Sequence, residues 1–214
     1  MVRRVPSAVL LAAFLLHGLN GCKRQDAAAA SQSTPREATY KLTTCMLEFD
    51  KAGFMECLTG SEEELRAAEA FVDYLCAVRE FKDAVVGAYG RRGWEVFEKK
   101  GGAELTVNIT DNRAKLDTVE WKVSSDSAEG KIPGEPQVIH LTHKDGKWCV
   151  HAGDILMGGA GDYERFASTW SRTAALLRET KARVGQPGVT PEALDKELGR
   201  EIMMILLGVA GPQP

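Results

Sequence analysis

Gln137-Val-Ile-His-Leu-Thr-His-Lys-Asp-Gly-Lys-Trp-Cys-Val-His-Ala152 is a pair of alternating runs around Asp145-Gly146, and it holds every histidine except His17. A two-residue Asp-Gly loop supplies the positive φ angles of a type I′ turn, whose twist matches that of the flanking strands. The turn therefore fixes a register: Lys144 faces Lys147, His143 faces Trp148, Thr142 faces Cys149, Leu141 faces Val150 and His140 faces His151. Because side chains alternate, Ile139, Leu141, Trp148 and Val150 share one face and His140, Thr142, Cys149 and His151 the other. The first face is core; the second carries the chemistry.

Upstream of this hairpin the period is also twofold. Leu105, Val107 and Ile109 alternate with Thr106, Asn108 and Thr110, and Val119, Trp121 and Val123 alternate with Glu120 and Lys122, predicting two strands with a turn at Asp111-Asn112. A weaker strand spans Ser127 to Ile132, ahead of Pro133-Gly134-Glu135-Pro136. Counting the hairpin, this makes an antiparallel sheet of about five strands, the usual size.

Further upstream the period is helical. Tyr40 to Phe49 reads as a helix, and Asp50 caps a short second one carrying Phe54, Met55 and Leu58. Ser61 and Glu64 form a capping box for a long amphipathic helix with Leu65, Ala68, Val72, Leu75, Val78, Phe81 and Val85 on its stripe, ending near Tyr89-Gly90. A short helical piece follows at Trp94 to Lys99. Downstream of the hairpin, Asp162 caps a helix whose stripe runs through Phe166, Trp170, Ala174 and Leu177, and Thr190-Pro191-Glu192 starts the last helix, through Leu194, Leu198, Ile202 and Ile205.

The chain has 214 residues, 44% hydrophobic and 27% charged, which is the composition of a globular protein with one sizeable core. Formal net charge is −3. Nucleic acid is a poor partner for a mildly acidic chain that has no basic cluster. Arg3 and Arg4 precede an apolar run from Ala8 to Leu16 that is too short to span a bilayer, the pattern of an export leader. It ends in Leu19-Asn20-Gly21-Cys22, which resembles the lipobox of bacterial lipoproteins, with Asn20 departing from the residue type usual there. The resemblance implies that 1–21 is a signal peptide and that Cys22 carries several acyl chains, palmitate among them. The domain would then be held to a membrane of the bacterial cell envelope, outside the cytoplasm. Residues 22–37, rich in Ala, Ser and Gln, read as a flexible tether. In an oxidising compartment Cys45, Cys57, Cys76 and Cys149 allow three disulfide pairings, or each is a buried small hydrophobe.

Helices followed by an antiparallel meander whose late hairpin carries Asp145-Gly146-Lys147-Trp148 resemble the nuclear transport factor 2-like superfamily. The nearest likeness is to uncharacterised lipoproteins of that type. The resemblance implies an α+β domain over 38–157, with N-terminal helices packed on a curved sheet, and leaves 158–214 as a C-terminal helical extension. That superfamily spans pocket enzymes and non-catalytic binding modules, so fold does not select a function.

Two chemical readings attach to the hairpin. His140 and His151, directly opposed at about 5.5 Å between Cα atoms, could share a zinc or copper ion with Cys149 as a third ligand. Alternatively Asp154, beside His151 at the strand end, could act as a general base. No nucleophile motif, phosphate loop or telling carboxylate pair accompanies either. The remaining reading is a non-catalytic, membrane-tethered module that takes an envelope protein or small ligand and needs no cofactor. Trp94, Trp121, Trp148 and Trp170 are then candidates either for a pocket wall or for core.

Overall fold

The computed structural model describes residues 31–99, 103, 105, 113–136, 138–156 and 162–208. The fold is mixed α+β, 60% helical, with a five-stranded sheet that does not close into a barrel. Its elements are α1 (Pro35–Glu48), α2 (Lys51–Glu56), β1 (Leu58–Thr59), α3 (Glu62–Trp94), α4 (Arg113–Leu116), β2 (Glu120–Val123), β3 (Ser127–Lys131), β4 (Val138–Lys144), β5 (Lys147–His151), α5 (Ala152–Ile155), α6 (Tyr163–Lys181) and α7 (Pro191–Leu206). Length alone predicts one core. The chain instead divides into two compact units, Met1–Ala68 with Asn108–Tyr163, and Glu69–Val107 with Glu164–Pro214.

The first unit is built on the sheet, in the order β1-β5-β4-β3-β2. The β4–β5 register is the one the Asp-Gly turn dictates: Lys144 pairs with Lys147, His143 with Trp148, Thr142 with Cys149 and Leu141 with Val150. Asp145 and Gly146 have φ of 52° and 76°, as a type I′ turn requires. Leu141, Trp148 and Val150 are buried, and the opposite face is less so. One expectation is corrected: the sheet is mixed, not antiparallel throughout. Its edge strand β1 is only two residues long and runs parallel to β5, with Leu58 against Val150 and Thr59 against His151. So short a strand leaves no alternation to read. The predicted strand at Leu105 to Thr110 and the turn at Asp111-Asn112 lie, apart from Leu105, outside the described residues. Arg113–Leu116, directly after them, is helical.

Helix α1 starts inside the stretch whose composition suggests a tether. Thr34 caps it in a reciprocal box with Glu37, and Pro35 occupies the first turn, where a missing N–H costs nothing. Just before it, the backbone N–H of Trp148 donates to the Gln32 carbonyl at 2.8 Å, and the Gln32 amide donates back to the Trp148 carbonyl at 2.9 Å. Gln32 is buried by this. Tyr40 and Arg36 both bond Asp117, which holds that carboxyl below its ordinary value. They join α1 to the turn after α4. Residues 1–30, with the expected leader and Cys22, lie outside the described residues.

The second unit is helical. Val78, Phe81 and Val85 of α3, Ala174 and Leu177 of α6, and Leu194 and Leu198 of α7 form one buried cluster with Trp94, Phe97 and Leu105. The α3 stripe is the one its sequence predicts, and Gly90 (φ 71°, ψ −178°) interrupts the helix where Tyr89-Gly90 foretells its end. Arg178 forks onto Asp73 at 2.8 and 2.9 Å, and Lys181 reaches Glu80 at 3.0 Å. These partly exposed pairs fix which helices meet more than they stabilise. Thr190 caps α7 as its sequence predicts. At its far end Ile202 packs on the cluster, while Met203, Leu206 and Leu207 are exposed.

Candidate functional site

The polar end of the hairpin is positioned by a change of structure within a single residue. β5 ends at His151 and α5 begins at Ala152, so the β4–β5 ladder stops at Leu141–Val150. His140 loses its expected strand partner. Asp154, in the first turn of α5, takes that place: its Oδ2 accepts the His140 backbone N–H at 2.6 Å, and its two oxygens lie 3.2 and 3.1 Å from His140 Nδ1. The carboxylate is therefore on His140, not beside His151 as sequence proximity suggests. His151 Nε2 bonds the Thr142 hydroxyl at 2.8 Å. The two imidazole rings nevertheless lie close, 6.4 Å between centroids at an interplanar angle of 71°.

Glu64 and Tyr163 join this end, and spacing along the chain does not announce either. Glu64 caps α3 with Ser61, accepting the Ser61 N–H at 2.7 Å through Oε2, and its Oε1 takes the Tyr163 hydroxyl at 3.3 Å. Gly153 makes the approach possible: a Cβ there would stand 2.6 Å from Glu64 Oε1 and 3.1 Å from the Tyr163 hydroxyl. The Ser61 N–H is the chief reason the Glu64 carboxyl is held below its ordinary value, with the Tyr163 hydroxyl and the charge of His151 adding to it. Burial, then the facing Glu64 charge, pushes the Tyr163 phenol up. The capping box is legible in Ser61 and Glu64; its second use, as a partner of Tyr163, is not.

This geometry sets a pH dependence. Because the folded carboxyl of Glu64 titrates below the unfolded one, its contribution is complete above the ordinary value of 4.5 and is lost as pH falls through the depressed folded value. Glu64→Gln keeps the cap but cannot titrate. Urea midpoints taken across the acid range should show wild type ahead of Glu64→Gln above pH 4.5, with the gap closing below it. A gap that stays constant at every pH would remove the ionised carboxylate from the account.

Cys149 lies across the hairpin from Thr142 and is half-buried, with its thiol pushed up by that burial. Among the described residues, no group of three or more His, Cys, Asp or Glu is arranged to hold a metal ion. An exposed imidazole steered by a carboxylate can accept a proton through its other nitrogen. The one hydroxyl bonded to either ring, among the described residues, is that of Thr142. The four tryptophans each pack within their own unit: Trp94 on Phe81 and Phe97, Trp170 on Phe71 and Tyr74, Trp148 under His143, and Trp121 over Gly130. Trp94 and Trp148 are buried, and Trp121 and Trp170 are half-buried. Among the described residues no helix is long and apolar enough to cross a membrane.

No family model, curated protein or solved structure matches the chain.

Proposed function

We propose that the protein is a lipid-anchored binding module of the bacterial cell envelope, with a nuclear transport factor 2-like domain over 38–157 and no catalytic step of its own. The membrane attachment comes from Arg3-Arg4, the apolar run Ala8 to Leu16 and Leu19-Asn20-Gly21-Cys22. The fold reading draws on helices that precede the sheet and on the Asp145-Gly146-Lys147-Trp148 turn at its β4–β5 hairpin. The observation that carries the binding reading is the mutual engagement of the polar groups: His140 is held by Asp154, His151 by Thr142, and Glu64 by Ser61 and Tyr163. Such a cluster is a preorganised face, rigid before any ligand arrives, and rigidity lowers the entropic cost of association. The partner is an envelope protein or a small ligand; nucleic acid does not suit the chain's net charge of −3.

A second reading is favoured by one measurement, the 6.4 Å between the His140 and His151 rings. Asp154 on Nδ1 leaves His140 free to ligate through Nε2, the usual carboxylate–histidine arrangement behind a metal. Zinc or copper would then be held by His140 and His151, with Cys149 as the third candidate.

One experiment separates the two. The full chain is purified without chelator beside a His140→Ala/His151→Ala variant, and both are assayed for metal content and for site-specific cross-linking in intact cells. The binding module should carry no stoichiometric metal in either protein, and its cross-linked species should weaken in the variant, which has lost part of the face. Stoichiometric zinc or copper in the parent alone would replace this reading with the metal one.

A further inference from the structure

The two edges of the sheet are protected unequally. β1 is only two residues long, and beyond it the Trp148 N–H is taken by Gln32. β2, at the other edge, has four residues and no proline, and among the described residues no strand pairs with its outer side. Such an edge offers a row of backbone donors and acceptors to a further strand. Val123 shows how bare it is: it continues the buried row Ala128, Leu141, Val150 and is itself 56% exposed.

Hydrogen-bond parity decides which groups face outward, because alternate residues of an antiparallel strand serve opposite neighbours. The Ser124 N–H donates to the Ser127 carbonyl at 2.8 Å, so the even-numbered residues of β2 serve β3. On β3 the parity agrees, since the Asp126 carbonyl accepts the His143 N–H from β4 at 2.8 Å. Trp121 and Val123 therefore turn both N–H and C=O to the open side. Val119 turns its C=O there, its N–H being bonded to the Leu116 carbonyl at 3.3 Å.

Val119-Glu120-Trp121-Lys122-Val123 reads the same in both directions once charge is reversed. Laid antiparallel against itself with Trp121 opposite Trp121, it sets Glu120 against Lys122, Lys122 against Glu120 and Val119 against Val123. Glu120 and Lys122 are exposed and enter no ion pair among the described residues.

We propose that β2 pairs with β2 of a second copy about a two-fold axis through Trp121, joining the two sheets edge to edge. Charge complementarity selects both the occupant and the register. Parity allows only pairings centred on a residue, and moving the axis by one residue brings Glu120 onto Glu120 or Lys122 onto Lys122. Those like charges would stand on Cα atoms about 4.5 Å apart, which is destabilising. With the axis at Trp121, the two Trp121 residues exchange N–H···O=C bonds and each Val123 N–H meets the Val119 carbonyl of the other copy. The interface is isologous and closes at two copies. The ladder is short, so the dimer is reversible. It is independent of the lipid anchor and of the polar face at the hairpin.

The test is sedimentation velocity on the full chain across the micromolar to millimolar range, in a density-matched non-ionic detergent so that a lipid does not itself drive association. Wild type should pass from monomer to dimer. Val123→Pro removes an outward N–H and leaves the β2–β3 ladder whole, so it should stay monomeric with its melting midpoint little changed. Glu120→Lys and Lys122→Glu should each raise the dissociation constant about tenfold, and the two together should bring it back, because the reversed strand is again its own complement. Should Val123→Pro fail to fold, the charge series decides alone. A wild type monomeric at every concentration, a dimer that a folded Val123→Pro leaves intact, or a double reversal no tighter than the single ones would overturn the proposal.

Discussion

Phe81→Ala lowers the unfolding free energy by about 3–5 kcal/mol, the range for deleting a fully buried aromatic ring. Phe81 is 0% exposed and stands between two other rings, its centroid 5.1 Å from Phe97 at 90° and 6.4 Å from Trp94. Trp94 and Phe97 stack on each other at 5.7 Å, so the three are mutually supporting and cannot close over the space left. Leu177, Leu194 and Leu198 enclose the cluster from α6 and α7 and are themselves fully buried. A protein of ordinary stability holds only about 5–15 kcal/mol in all, so the variant loses a large share of it. Denaturant titration followed by tryptophan fluorescence should show the midpoint fall with little change in slope. Phe81→Leu, which keeps most of the volume, should lose less than half as much. A loss under about 1 kcal/mol for the alanine variant would mean that this ring is not where the second unit is held together.

On the proposal that Cys22 carries the lipid, Cys22→Ala should abolish lipid attachment outright. Cells fed radiolabelled palmitate label the wild-type chain and leave the variant unlabelled; wild type partitions into detergent and the variant, once freed of its leader, does not. On that proposal the effect should be all-or-none, because the apolar run beside Cys22 is no substitute for the lipid. The apolar run Ala8 to Leu16, even as a helix, reaches only about 13 Å, less than half of a hydrocarbon core about 30 Å thick. A single acyl chain binds a membrane only marginally, and several on one cysteine make the attachment durable. Equal labelling of the two proteins, or none in either, would overturn the anchor.

How much of this can be read in the amino acids divides along the distance over which each feature is decided. The hairpin is legible because Asp145-Gly146 fixes both the turn and the register within two residues, and four of its pairs fall as written. The Ser61–Glu64 box and the Thr190-Pro191 start are legible for the same local reason. Thr34-Pro35-Arg36-Glu37 carries the same grammar of cap, proline and acid, and would have placed the start of α1. A tether-like composition outweighs that signal when residues are read in bulk. The parallel edge strand β1 is not legible, since Leu58-Thr59 has no period and its pairing depends on where α2 delivers the chain. At the candidate site, His140 and His151 are drawn to one face by alternation alone. Asp154, Glu64 and Tyr163 arrive from three other elements, and only the bend from β5 into α5 decides that the carboxylate serves His140.

The division of the chain between its two units has a consequence for how the molecule is made. Each unit is assembled from an early and a late stretch, Met1–Ala68 with Asn108–Tyr163 and Glu69–Val107 with Glu164–Pro214. A ribosome reading from the start therefore finishes neither until well past the midpoint, and the second not before the closing helix α7 has emerged. Contacts that join distant parts of a chain are slow to form, because loop closure is unfavourable until the far partner is present. On the proposal that the chain is exported, this delay would keep the nascent chain extended for threading through a translocation channel, and both units would complete themselves on the far side.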